Sequence, residues 1–156
     1  MKKPSIANCD AVLLGKALQA MLGTAFSPDN FGPFLEKILR ILADSPVIGQ
    51  RAKLAITLRS GRIEGAFRGF CAKDRASLLA GKKPAGPGRL ISEPLRLGNA
   101  RAGLITILLP GTTENVLTAR AMLGMAAQFV SARLQSEKRD EELSFERDLA
   151  ASLKHI

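Results

Sequence analysis

Cys9 and Cys71 are the only thiols of this 156-residue chain, and His155 is its only imidazole. With so few of these groups, and the one imidazole in the tail, a zinc site of the usual four-ligand kind, a haem held by an internal histidine and a serine or cysteine triad are nearly excluded. No paired acid and base, activated nucleophile or phosphate-binding loop can be assembled from the other residues, so the chain reads as a non-enzyme without a cofactor. The two thiols lie far apart with no metal spacing, the usage of a reducing cytoplasm. Cys71 has two readings. Beside Arg68, Lys73 and Arg75 it could serve as a redox or nitrosation sensor. After Phe70, at the end of a strand, it is more commonly a small buried hydrophobe.

The cations are the other groups with chemistry to offer. Lys and Arg number 23 against 14 Asp and Glu, a formal charge of +9. From Lys53 to Arg101 there are eleven cations against Glu64, Asp74 and Glu93; from Glu137 to Asp148 the balance reverses, with six acids against Lys138, Arg139 and Arg147. The basic middle is either a solvated sheet face or an anion site, because arginine in a partly dry cleft recognises carboxylate or phosphate strongly. If a small molecule binds, the expectation is an anion held near Arg62, Arg68, Arg75 or Arg89 in the cleft between sheet and connecting loop. A chain with no Trp, no Tyr and seven Phe lacks the stacking platforms of single-stranded nucleic acid binders, so no nucleic acid partner is expected.

These residues must be positioned by elements that the apolar periodicity delineates. The composition, 46% hydrophobic and 24% charged, suits one globular domain, long enough to fold without disulfides or a metal. Leu14, Ala17, Leu18 and Met21 fall at helical spacing, and a second stripe through Phe31, Phe34, Leu35, Ile38, Leu39 and Leu42 follows the cap pair Ser27-Pro28, with Gly32 and Pro33 able to delay its start. From Lys53 to Arg59 the period becomes two, with Leu54, Ile56 and Leu58 on one buried face. Ser60-Gly61 makes a turn, and Arg62 to Phe70 is an antiparallel partner through Ile63 and Phe67. A short helix from Asp74 to Ala80 precedes a breaker-rich loop. A second hairpin, Arg89 to Leu97 and Ala100 to Leu109, turns at Gly98-Asn99. Leu104 to Leu109 is apolar on both parities, the mark of a central strand covered on both faces. Thr112 or Thr113, with Glu114, caps a closing helix whose apolar positions Val116, Leu117, Met122, Met125, Phe129 and Val130 thin out after Leu134. The fold class is α+β: an antiparallel sheet packed on N- and C-terminal helices, with one face under the helices that contain Leu18, Leu35 and Phe129. No apolar run approaches the roughly 20 residues of a membrane span. The N-terminal Met-Lys-Lys is followed by Pro4, Asn8 and Asp10 rather than an apolar core, so a cytoplasmic chain without a targeting segment or a membrane partner is expected.

The stretch Glu93-Pro94-Leu95, the turn at Gly98, Arg101-Ala102-Gly103-Leu104-Ile105 and the apolar strand that follows resemble the end of a GAF domain, where a Pro-Leu strand and a Gly-Val-Leu strand precede the closing helix. Ala126-Ala127-Gln128-Phe129-Val130-Ser131-Ala132-Arg133-Leu134 is similar to the family's usual helical ending. Upstream, Phe34 to Leu42, the strand at Ala55 and the turn at Ser60-Gly61 come in the order the resemblance requires. It implies a sensory, dimerising module of a signalling protein, here residues 1–134, with 135–156 as a signalling helix or linker to an output domain. The chain departs from several branches of the family. The bilin-bearing cysteine is usually followed by histidine, whereas Cys71 is followed by Ala72. An internal haem ligand, the Asn-Lys-Phe-Asp-Glu signature of cyclic-nucleotide binders and the cysteine set of the free methionine sulfoxide reductases are absent. The connection between the hairpins is short, which implies a small pocket or none.

The tail offers a fainter likeness. Glu146-Arg147, Ala151 and His155 resemble by spacing the phosphoacceptor helix of a class of histidine kinases, and Leu149 to Lys154 resembles the linker before a serine phosphatase domain, so an output kinase or phosphatase is implied. Phe145, Leu149, Leu153 and Ile156 form a stripe compatible with a short coiled-coil seam. The expected function is therefore a regulatory sensor domain that forms a homodimer and passes a ligand or partner state to an output domain. The alternative is a ligand-free interaction and dimerisation module.

Overall fold

The computed structural model describes residues 8–25, 30–59, 65–84, 87–110 and 116–154. Among these the chain forms α1 (Asn8–Ala25), α2 (Phe31–Asp44), β1 (Lys53–Leu58), β2 (Gly65–Arg68), α3 (Ala72–Leu79), β3 (Arg89–Leu97), β4 (Ala100–Leu109) and α4 (Val116–Leu153). The strands make one antiparallel sheet in the order β2-β1-β4-β3. The class is α+β, as the grouping of strands between helices requires.

α2 shows how the pattern becomes structure. Its stripe of Phe34, Leu35, Ile38, Leu39 and Leu42 is buried to 2% exposure or less. The helix begins at Phe31 despite Gly32 and Pro33, because a proline in the first turn gives up only an N–H that has no helical acceptor. It ends where the Ser45 N–H turns back to the Leu42 carbonyl and Pro46 cannot continue the ladder. The Ser27-Pro28 pair and the Thr112, Thr113 and Glu114 cap lie outside the described residues.

β4 is an inner strand, flanked by β1 and β3, and Ile105, Ile107 and Leu109 are fully buried beneath the helices together with Leu54, Ile56, Ile91 and Leu95. The second face carries a smaller cluster of Ala55, Phe70 and Leu108, edged by Phe67, Leu78 and Leu90. Both parities of β4 are thus occupied, but α3 and the chain leading into it supply the second cover. β1 is buried on both faces through Ala55, not on one. The β3–β4 hairpin closes through a two-residue turn with Leu97 opposite Ala100. Gly98 sits there at φ +65°, a positive φ of the kind primed hairpin turns demand.

Several expectations are corrected at the level of single residues. Leu18 points away from the core at 38% exposure, while Ala17 and Met21 of α1 are buried at 6% and 0%; a helix packed on one flank buries only part of a broad apolar stripe. In β2 it is Ala66, opposite Ile56, that faces the helices, and Phe67, opposite Ala55, that faces the other side. Ile63 lies outside the described residues. α3 begins two residues before Asp74.

Gly103 is required by strand spacing. A Cβ on Gly103 would overlap the Thr57 carbonyl oxygen across the β1–β4 ladder. Gly103→Ala is expected to cost about 1–3 kcal/mol, the usual penalty for overpacking, read as a lower urea midpoint with an unchanged slope. A neutral substitution would show that the two strands can part there without cost.

Candidate functional site

The sheet order disperses the predicted cations. Arg68 is exposed on the edge strand β2, where its Nη2 donates to Gln50 Oε1 at 3.0 Å. Arg89 is exposed at the start of the opposite edge strand β3, three strand spacings or about 14 Å away. Arg75 belongs to α3. Its Nε donates to the Phe70 carbonyl at 3.0 Å and its guanidinium lies 5.4 Å from the centroid of the Phe67 ring, on the second face. Arg62 lies outside the described residues. Arg68 and Arg75 serve separate local contacts, Arg89 stands at the far edge, and the three are not brought together. Cys71 is exposed, which corrects the reading of a buried hydrophobe: Phe70 takes the inward position at 3% exposure, and Cys71 begins α3 as its capping residue.

An open cleft of about 340 Å³ does exist between sheet and connecting segment, on the second face. Thr57 and Leu104, paired in register, form its floor; Leu78, Leu79 and Gly81 of the α3 end overhang it; Arg59 and Arg101 stand at its rim. The Arg59 N–H donates to the Ala102 carbonyl at 2.9 Å, which fixes the two arginines on adjacent strand ends. Sequence reasoning missed both. The signal for them was position: Arg59 directly follows β1 and Arg101 lies at the start of β4, so an antiparallel pairing of these strands must bring them close.

The second feature is α4. It runs unbroken past Leu134 and is 38 residues long in all, about 57 Å at 1.5 Å per residue. Its first half packs on the sheet through Ala119, Met122, Leu123, Ala126 and Val130, and the Arg96 N–H donates to Ser131 Oγ at 3.0 Å. Arg133 marks where the helix leaves the core, with its guanidinium 5.0 Å from the Phe34 ring centroid and its Nε 2.9 Å from Glu137. The β3–β4 turn at Gly98 then lies beside Gln135, Lys138 and Glu142. Beyond Glu142 every described side chain is exposed, including Phe145 at 67%, Leu149 at 50% and Leu153 at 60%.

Two parts of α4 share a phase. Leu117, Ala121, Gly124 and Gln128 in its first half, and Phe145 and Leu149 in its exposed end, fall on one line of steps of four and three, while the positions between them, Ser131, Gln135, Lys138 and Glu142, lie along the β3–β4 hairpin. α1 carries the same step on its outer side, through Ala11, Gly15, Leu18 and Leu22, all exposed. A Cβ on Gly15 or Gly124 would meet nothing within 4 Å, so both glycines leave open surface where another backbone could approach closely. No protein-family model matches this sequence, and no curated protein matches it. Among the described residues no group of His, Cys, Asp and Glu could hold a metal ion, and no helix is long and apolar enough to cross a membrane.

Proposed function

We propose that this chain is a regulatory sensor module of a signal-transduction protein, which dimerises through the outer sides of α1 and α4 and passes its state along α4 to an output domain. The observation that carries this reading is the single helix that is core at one end and bare apolar stripe at the other. Phe145, Leu149 and Leu153 gain nothing from exposure, and a lone helical arm is marginal in water. A second copy of the same helix covers the stripe in register, since both subunits present the same apolar positions. Parallel pairing brings the two C-termini together, where a small rotation at the sheet-packed end could turn paired output domains. The resemblance of residues 91–134 to a GAF domain supports the sensory class, and the charged run from Glu137 to Asp148 suits the flanks of a solvated seam.

The test is light scattering on the full chain and on the chain cut after Leu134. The full chain is expected to be a dimer. The shortened chain is expected to dimerise at least tenfold more weakly, with the circular dichroism of an intact sheet. A full chain that stays monomeric at high concentration would contradict the proposal.

A further inference from the structure

The cleft on the second face has chemistry that dimerisation leaves unused. Arg101 stands directly opposite Arg96 in the β3–β4 register, and Arg59 closes the neighbouring strand end. Like charges set opposite one another weaken a sheet, so three arginines at one end of it form a repulsive cluster. Among the described residues no carboxylate lines the cleft and none pairs with Arg59 or Arg101. Between these cations and α3 lies apolar surface that the fold leaves uncovered: Leu104 on the floor is only half-buried, and Leu79 above it is 41% exposed. Lys82 and Lys83, both exposed, follow the Gly81 lip.

We propose that this cleft binds a small organic anion, its acid group held between the Arg59 and Arg101 guanidinium forks and its apolar body laid on Leu78, Leu79 and Leu104. The forked N–H donors of arginine match a carboxylate or phosphate in a bidentate way, and the anion neutralises the cluster that the empty sheet tolerates. The volume of about 340 Å³ falls at the lower end for ligand sites, which limits the guest to the size of a short acyl chain or an aromatic acid. The site is complete in one subunit. It names the ligand class for the sensor reading above, and its failure would leave the dimeric relay standing.

The experiment is an amide NMR titration of the full chain with octanoate. The expected shifts centre on Thr57, Leu78, Leu79, Gly81 and Leu104, with an affinity that falls as salt is raised. Octylamine and inorganic phosphate, which keep only the apolar body or only the acid, are each expected to bind at least tenfold more weakly. The double variant Arg59→Gln, Arg101→Gln is expected to lose at least tenfold in octanoate affinity; both side chains are exposed, so its melting temperature should not fall. Equal binding of octylamine, shifts scattered away from the cleft, an unchanged affinity in the double variant, or no shift up to the solubility of octanoate would each overturn the proposal.

Discussion

Phe34→Ala is expected to destabilise the protein by about 3–5 kcal/mol, the usual loss for truncating a buried aromatic ring. At about 2–4 °C per kcal/mol for a chain of this size, the melting temperature should fall by roughly 10 °C. Phe34 is completely buried and joins α2 to α4. It sits in the first turn of α2, stacks against Phe31 at 6.2 Å between ring centroids, and receives the Arg133 guanidinium over its face. The variant therefore opens a cavity and also loosens α4 where that helix leaves the core. Urea and thermal unfolding followed by circular dichroism measure the effect. A loss below about 1 kcal/mol would mean that the helices close over the gap, since the cost depends on how well the site collapses.

The second large effect is expected in association rather than folding. In the proposed dimer, Leu149→Glu removes an apolar side chain from each of two paired helices and places like charges across the seam. Burying a leucine is worth about 1.5–3 kcal/mol, so the loss of both corresponds to a dimer weakened by roughly a hundredfold or more. Leu143→Glu is the matched control. Leu143 is nearly as exposed, at 45% against 50%, but lies outside the 4-3 line, and its replacement should leave the dimer unchanged. Sedimentation equilibrium on the two variants distinguishes a phased seam from a general stickiness of the tail. Equal effects would argue for stickiness.

Most of the framework was legible because two periodicities are clean in this chain. β3 and β4 occupy the residues expected from alternation and from Gly98-Asn99, and α2 follows its stripe from Phe31 to the Ser45-Pro46 stop. Local pattern does not say which flank of a stripe finds a partner, which is why Leu18 stands outside while Ala17 and Met21 are covered. Nor does it say which end of a strand overhangs a cleft. The cation excess from Lys53 to Arg101 was plain, but a count of charges carries no register. Only the β1–β4 pairing, with Leu58 opposite Gly103, brings Arg59 and Arg101 to one rim, while the sheet order separates Arg68 from Arg89. Cys71 was misplaced by one residue of alternation: the chain turns into α3 there, and Phe70 takes the inward position. The apolar positions Phe145, Leu149 and Leu153 were legible as a stripe, and all three are exposed. That they share one helix with the sheet-packed Ala119 to Val130 became visible only with α4 unbroken.

In the proposed dimer two α4 helices run side by side in the same direction and bring their C-termini together. A spin-label distance across the dimer measures this, with the label on Leu153→Cys in a chain carrying Cys9→Ser and Cys71→Ser. Paired helices lie about 8–10 Å apart axis to axis, so one narrow distribution is expected at roughly 20–30 Å once the label arms are added to that spacing. A broad distribution well beyond that range, or no dipolar coupling at concentrations where light scattering reports a dimer, would contradict parallel pairing and with it the relay.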